Sequence, residues 1–178
     1  MFGGTGDLSN RKLIPAMFRQ ETLSSICTES NIIGIGSRNL TTVEYVEMVK
    51  DSLQKYFPNF DQHKDTWKLF SARISYIQID INSDEGWNNL KEISTDRAVI
   101  YYLATPPNLY KKISSALNEF NLIKENCRVV VEKPIGTDLN TAKEINDSLA
   151  TGFNESQIYR IDHYLGKAVS YTHLRAHE

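Results

Sequence analysis

The chain has 178 residues, 40% of them hydrophobic and 24% charged, with a formal net charge of -2. That length suits one domain whose core buries most of its apolar surface. The charge balance lacks the basic excess that a nucleic-acid or membrane-surface partner calls for. The longest apolar run, 98–104, falls far short of the roughly twenty residues of a membrane span. No basic-then-apolar leader opens the sequence. Cys27 and Cys127 have no metal-like spacing, so the expectation is a cytoplasmic protein with reduced, part-buried thiols.

Along the chain, short β-branched runs alternate with longer segments of helical spacing. Strands are expected at 31–34, 74–79, 98–103, 128–131 and 157–161. All but 74–79 are nearly continuous apolar runs, the pattern of strands covered on both faces, whereas 74–79 alternates and is placed nearer an edge. The first helix is expected to carry Leu13, Met17 and Leu23 on its apolar face, and the second, 42–56, to carry Val43, Val46, Val49, Leu53 and Tyr56. Trp87, Leu90 and Ile93 mark a short third. A fourth spans 109–120 and a fifth 138–149, the latter capped by Asp138 or Asn140. This alternation predicts an α/β fold, a Rossmann-type doubly wound parallel sheet with right-handed crossovers. Such a sheet needs a central first strand before its glycine turn. Only Met1 and Phe2 precede Gly3, so the sequence reads as truncated at its front.

Gly3, Gly4, Thr5, Gly6, Asp7, Leu8 and Ser9 lead into the first helical segment. Glycines let backbone approach a pyrophosphate, and a helix N-terminus offers free N–H groups and positive dipole. The run departs from G-x-G-x-x-G in having Asp-Leu after Gly6. Past the next strand stands Arg38 where NAD-specific folds commonly place an acid. A guanidinium there pairs with a 2′-phosphate in a fork, which favours NADP. Asp80 and Ile81, after the third strand position, are expected at the same carboxyl edge and near the cofactor. At 129–136 a buried strand runs into Glu132, Lys133 and Pro134; the proline biases Lys133 to extended backbone. Its ammonium is suited to bridge a phosphate or to polarise a substrate hydroxyl. The densest cluster, 160–167, sets Asp162, His163, Tyr164, Gly166 and Lys167 just after a strand. Its imidazole, phenol and ammonium are donors to a phosphate, and Asp162 is suited to orient a histidine base.

In order and spacing, Gly-Gly-Thr-Gly-Asp-Leu-x-x-Arg-Lys-Leu-x-Pro at 3–15, Glu-Lys-Pro-x-Gly at 132–136 and Arg-Ile-Asp-His-Tyr-Leu-Gly-Lys at 160–167 resemble the glucose-6-phosphate dehydrogenase family. The resemblance implies oxidation of glucose 6-phosphate to 6-phosphogluconolactone with hydride transfer to NADP, at the entry to the pentose phosphate pathway. It implies that Gly3 to Ser9 line the pyrophosphate, Arg38 the 2′-phosphate and Tyr110 the cofactor. Lys133 is implied to touch both cofactor and substrate, and His163, Tyr164 and Lys167 to bind the sugar phosphate. Asp162 is implied to pair with a general-base histidine. That histidine belongs to the family's second, substrate domain of α+β type, and His63, His163, His173 and His177 do not match its motif, so no base is assigned. Homo-oligomers are implied through the same domain.

The domain is therefore expected to run from 1 to 167, with 168–178 a non-native tail, since the family continues differently after its final lysine. His173 and His177 have the i, i+4 spacing of a metal pair, and no metal site is assigned to them. Thr5 leaves room for NAD as a secondary cofactor. Two other readings are another Rossmann-type sugar oxidoreductase with a Glu-Lys-Pro motif, such as the glucose–fructose oxidoreductase type, and an NADP-binding module without catalysis. The first lacks the Asp-His-Tyr-Leu-Gly-Lys run. The isolated chain is expected to be inactive, to bind cofactor weakly and to leave apolar surface uncovered.

Overall fold

A computed structural model describes residues 1–23, 29–94, 97–133, 135–136 and 138–162. Cys27, Pro134, His163, Tyr164, Lys167 and the tail at 168–178 lie outside the described residues. The chain divides into two compact units, Met1–Thr95 and Asp96–Glu178. Among the described residues no helix is long and apolar enough to cross a membrane.

In the first unit β1 (Ile32–Gly36) and β2 (Ile74–Gln78) pair in parallel, Ile32 opposite Ile74 and Gly36 opposite Gln78. The chain start lies along the other side of β1. The Met1 nitrogen donates to the Ile33 carbonyl at 2.8 Å, Ile35 N–H donates to the Met1 carbonyl at 2.9 Å, and Phe2 bridges to Ile35 in parallel. Met1 and Phe2 thus behave as strand, as a Rossmann glycine turn requires just upstream of it. Among the described residues β2 has β1 alone as its strand neighbour, the edge position that its alternation predicts.

A stretch of π-helix, Ser9–Leu13, runs into α1 (Ile14–Thr22), whose buried face is Ile14, Pro15 and Phe18. This corrects the expected face: Leu13 and Met17 are only partly buried and Leu23 is 64% exposed. The wider first turns rotate the face, and Phe18 supplies the larger apolar payload. Its ring lies 4.9 Å from that of Phe57, 5.5 Å from Phe60 and 5.3 Å from Phe70, centroid to centroid.

In α2 (Thr42–Tyr56) the buried residues are Tyr45, Val49, Ser52 and Leu53, and Val43 is 69% exposed. The face is therefore set by Tyr45, whose ring fills the space beside Gly34. A helix the apolar pattern missed, α3 (Lys64–Ser71), turns Phe70 into the same core. Arg73 then ties β2 to α1 by pairing with Glu21, both side chains largely buried. The short α4 (Trp87–Ile93) buries Trp87 and Leu90 as expected, while Ile93, expected on the same face, is exposed at the helix end.

The second unit holds β3 (Ile100–Leu103), β4 (Arg128–Glu132) and β5 (Ile158–Ile161) in the order β3-β4-β5, all parallel. Tyr101, Leu103, Val129 and Val131 are buried. So are Ile113 and Leu117 of α5 (Tyr110–Glu119) and Ile145 and Leu149 of α6 (Leu139–Gly152). Asp138 is the cap of α6, its side chain accepting from Thr141 N–H in a capping box. The expectation of cover on both faces meets a correction here. Ile100 is 66% exposed, Tyr159 51% and Ile161 39%. On these strands burial alternates instead of running continuously: Tyr101, Leu103, Val129 and Val131 are buried, and Ile100, Tyr102, Arg128 and Val130 are half-buried or exposed.

Candidate functional site

The glycine turn forms where β1 receives the chain start. Gly3 adopts φ 75°, a conformation that L side chains rarely take. Gly6 N–H closes the turn on the Gly3 carbonyl at 2.9 Å, and the buried Ser9 hydroxyl donates to the same oxygen at 2.8 Å. Asn10 N–H is the first to reach back four residues, to the Gly6 carbonyl at 3.1 Å. The amides of residues 7 to 9 therefore precede the helical ladder and face the turn with the dipole's positive end. Asp7 is exposed and lies 3.4 Å from Arg11 one turn on.

Arg38 follows the carboxyl end of β1. Its side chain is exposed, and its carbonyl accepts the Tyr76 hydroxyl at 2.8 Å. Asp80 follows the end of β2, exposed, with its carboxylate accepting from the Asn82 backbone at 2.9 Å and side chain at 3.0 Å. Ile81 beside it is half-buried. The first unit thus brings the glycine turn, Arg38, Asp80 and Ile81 to one carboxyl edge of its sheet.

The second unit brings together a different group. Lys133 N–H donates to the Ile161 carbonyl at 3.0 Å, so β5 fixes the lysine's backbone. Its ammonium stands 3.9 Å from the Asp162 carboxylate, with the side chains 53% and 30% exposed. This is a loose, half-wet ion pair, worth little to stability but able to aim both groups. The preceding Glu132 accepts the Tyr102 hydroxyl at 2.5 Å. Burial, then that bond, raises the Tyr102 phenol well above its ordinary value. Tyr110 is 2% exposed and commits its hydroxyl to the Leu103 carbonyl at 3.4 Å, a strut between α5 and the end of β3. The Thr105 hydroxyl just beyond is buried with no hydrogen-bond partner among the described residues. Arg160 of the cluster motif turns to Glu155 at 2.5 Å and Asn146 at 3.0 Å, and so holds β5 to its flanks. His163, Tyr164 and Lys167 lie outside the described residues.

Sequence reasoning did not single out Tyr45, Tyr76, Tyr102 or Thr105. For Tyr102 a signal existed: a tyrosine one residue before the end of an apolar strand, in register with the strand that carries Glu132.

A parallel βα succession with a glycine turn closing onto a helix start defines the class of this chain as a dinucleotide-binding Rossmann-type fold. Comparison with known proteins narrows the class. Residues 1–170 match the family model described as glucose-6-phosphate dehydrogenase, NAD binding domain, and the chain belongs to that family.

It is 39% identical over 170 residues to glucose-6-phosphate 1-dehydrogenase of Rhizobium meliloti (strain 1021), covering 94% of this chain and 35% of that protein. It is 42% identical over 173 residues to the protein of the same description from Gluconobacter oxydans (strain 621H), again with 94% and 35% covered. A crystal structure of glucose-6-phosphate 1-dehydrogenase from Mycobacterium avium superposes with a TM-score of 0.84 at 33% identity, over 93% of this chain and 36% of that one. A glucose-6-phosphate dehydrogenase in complex with its substrate glucose-6-phosphate gives 0.82 at 36% identity, over 94% and 36%. The chain spans about a third of the length of the curated relatives it matches.

Proposed function

We propose that this chain is the dinucleotide-binding part of an enzyme that oxidises glucose 6-phosphate to 6-phosphogluconolactone, with NADP as the preferred hydride acceptor and NAD as a secondary one. The observation that carries the reading is the family match over residues 1–170, which includes all three sequence motifs.

The residues present fit a dinucleotide on their own chemistry. Gly3 at φ 75° and the amides ahead of the helical ladder suit a pyrophosphate, and Gly3 to Ser9 are assigned to it. Arg38, an exposed guanidinium past β1, is assigned to the 2′-phosphate. Asp80 and Ile81 border the same edge. Tyr110, buried under the end of β3, is assigned a supporting place in the cofactor site. The bound cofactor supplies a nicotinamide ring that accepts the hydride.

Lys133 is assigned to cofactor and substrate together, its ammonium kept in place by Asp162 at 3.9 Å. His163, Tyr164 and Lys167 are assigned to the sugar phosphate. Asp162 is the orienting partner of a histidine that takes the hydroxyl proton. Of the histidines here, His63 packs against the rings of Phe18 and Phe57, and the others follow Asp162. Assembly into homo-oligomers is assigned to the length of the relatives beyond this chain, and the location to the cytoplasm.

The test is a rate comparison. A parent-length protein carrying this domain should reduce NADP with glucose 6-phosphate and far more slowly with free glucose, while the 178-residue chain alone should give no NADPH absorbance. Equal turnover of both sugars would sink the substrate assignment, and turnover by the chain alone would sink the reading of Asp162.

A further inference from the structure

Two tyrosines outside the assigned contacts grip the two loops that the dinucleotide reading relies on in the first unit. Tyr45, on α2 and fully buried, donates its hydroxyl to the Gly4 carbonyl at 3.2 Å. Tyr76, on β2 and 8% exposed, donates to the Arg38 carbonyl at 2.8 Å. Their rings lie against each other, with centroids 5.0 Å apart and planes 31° from parallel. Tyr76 is pinned in turn to the head of α2, its N–H donating to the Thr42 hydroxyl at 3.1 Å. Tyr76 and the glycine turn meet at Gly36: a Cβ there would stand 3.1 Å from the Tyr76 hydroxyl and 3.2 Å from the Thr5 hydroxyl.

A buried phenol needs an acceptor, and any nearby carbonyl satisfies it. The two chosen here are not strand carbonyls. One belongs to the glycine turn and the other to the residue assigned to the 2′-phosphate.

We propose that Tyr76 is a positioning residue for discrimination between 2′-phosphorylated and 2′-hydroxyl dinucleotides: it fixes the backbone from which the Arg38 guanidinium reaches, while Tyr45 fixes the glycine turn that both dinucleotides share. This rests on the reading of Arg38 given above. Burial holds both phenols above their ordinary value, so each stays a donor across the neutral range; at Tyr76 the nearby Arg38 opposes that rise in part.

The geometry makes the two hydroxyls separable. Loss of the Tyr76 hydroxyl frees the Arg38 loop alone, and loss of the Tyr45 hydroxyl frees the turn. The phenylalanine variants keep both rings and the stacked packing, so the fold has little reason to fail.

The experiment titrates the full 178-residue chain with NADP and with NAD, by calorimetry or ligand-observed NMR, as wild type, Arg38→Ala, Tyr76→Phe and Tyr45→Phe. Wild type should prefer NADP, and Arg38→Ala should remove the preference. Tyr76→Phe should weaken NADP about fivefold, the worth of one hydrogen bond, and leave NAD within about twofold. Tyr45→Phe should weaken both by a similar factor. A wild-type chain that binds neither dinucleotide, or shows no preference, overturns the reading of Arg38 and this inference with it, as does Arg38→Ala without effect. A preference that Arg38→Ala removes but Tyr76→Phe leaves intact overturns the inference alone. So does an equal loss of both dinucleotides in Tyr76→Phe, the mark of a scaffold role.

Discussion

Gly34 sits in the middle of β1, where a side chain would ordinarily strengthen the strand. Its value lies in what it lacks. A Cβ there would fall 2.3 Å from Tyr45 Cζ and 2.4 Å from the Tyr45 hydroxyl, inside a buried ring with no room to move. The glycine makes the slot, and the phenol fills it and reaches the Gly4 carbonyl through it. Gly34→Ala should therefore destabilise the chain by about 1–3 kcal/mol, the usual penalty of overpacking a filled core. The check is the denaturant midpoint against wild type at constant m-value. A midpoint within error of wild type would show that Tyr45 can leave the slot. The Tyr45 hydroxyl and the turn it holds would then not depend on this glycine.

At the scale of an element, α2 is fixed at its start by a capping box: the Thr41 side chain accepts from Glu44 N–H, and the Glu44 carboxylate accepts from Thr41 N–H at 2.7 Å and from the Thr41 hydroxyl at 2.8 Å. Those bonds from Thr41 hold the Glu44 carboxyl below its ordinary value. The folded chain thus binds the proton more weakly than the unfolded one, and the stabilisation is fully present above the unfolded value. It is lost as pH falls through the carboxylate range toward the depressed folded value. Wild type should exceed Glu44→Gln in unfolding free energy at neutral pH, and the gap should narrow as the medium is acidified below 4.5. A gap that stays constant on acidification would show that the carboxylate's charge plays no part in the cap.

The elements were mostly legible in the sequence and their faces were not. The β-branched runs placed all five strands of the described residues, with ends shifted by one or two residues, as β1 shows by ending at Gly36. The Asp138 cap could be read directly, because its chemistry is local. The face of α2 could not: a valine at 43 and a tyrosine at 45 compete for the core, and the slot at Gly34, made by a residue eleven positions upstream of Tyr45, decides between them. The missed α3 has a similar cause: of its apolar residues Trp67, Leu69 and Phe70, Leu69 is exposed and Phe70 alone is buried, against the distant Phe18. Of the candidate site, the placement of the glycine turn, Arg38 and Lys133 was legible because each follows the end of a strand. The tyrosines that hold the glycine turn and the Arg38 backbone were not, because their bonds reach across 41 and 38 residues of sequence.

At the scale of the whole molecule the exposed side of the second unit's sheet matters most. Parallel strands normally have both faces covered, yet Ile100, Tyr159 and Ile161 are 66%, 51% and 39% exposed. They are not scattered. Ile100 pairs with Arg128 in β4, Tyr159 with Val130 and Ile161 with Glu132, positions that alternate with the buried Val129 and Val131, so they share one side of the sheet. An exposed sheet face that carries large apolar side chains is where a chain associates or binds an apolar probe. The 178-residue chain should therefore bind a hydrophobic dye and self-associate with rising concentration. Ile100→Lys with Tyr159→Lys should suppress both effects, and because both side chains already face solvent each change should shift stability by no more than about 0.5 kcal/mol. Sedimentation at several concentrations, with dye fluorescence alongside, measures it. A chain that stays monomeric and dark as wild type would show that this side is covered in solution. A double variant that loses several degrees of melting temperature would show that these side chains pack against something.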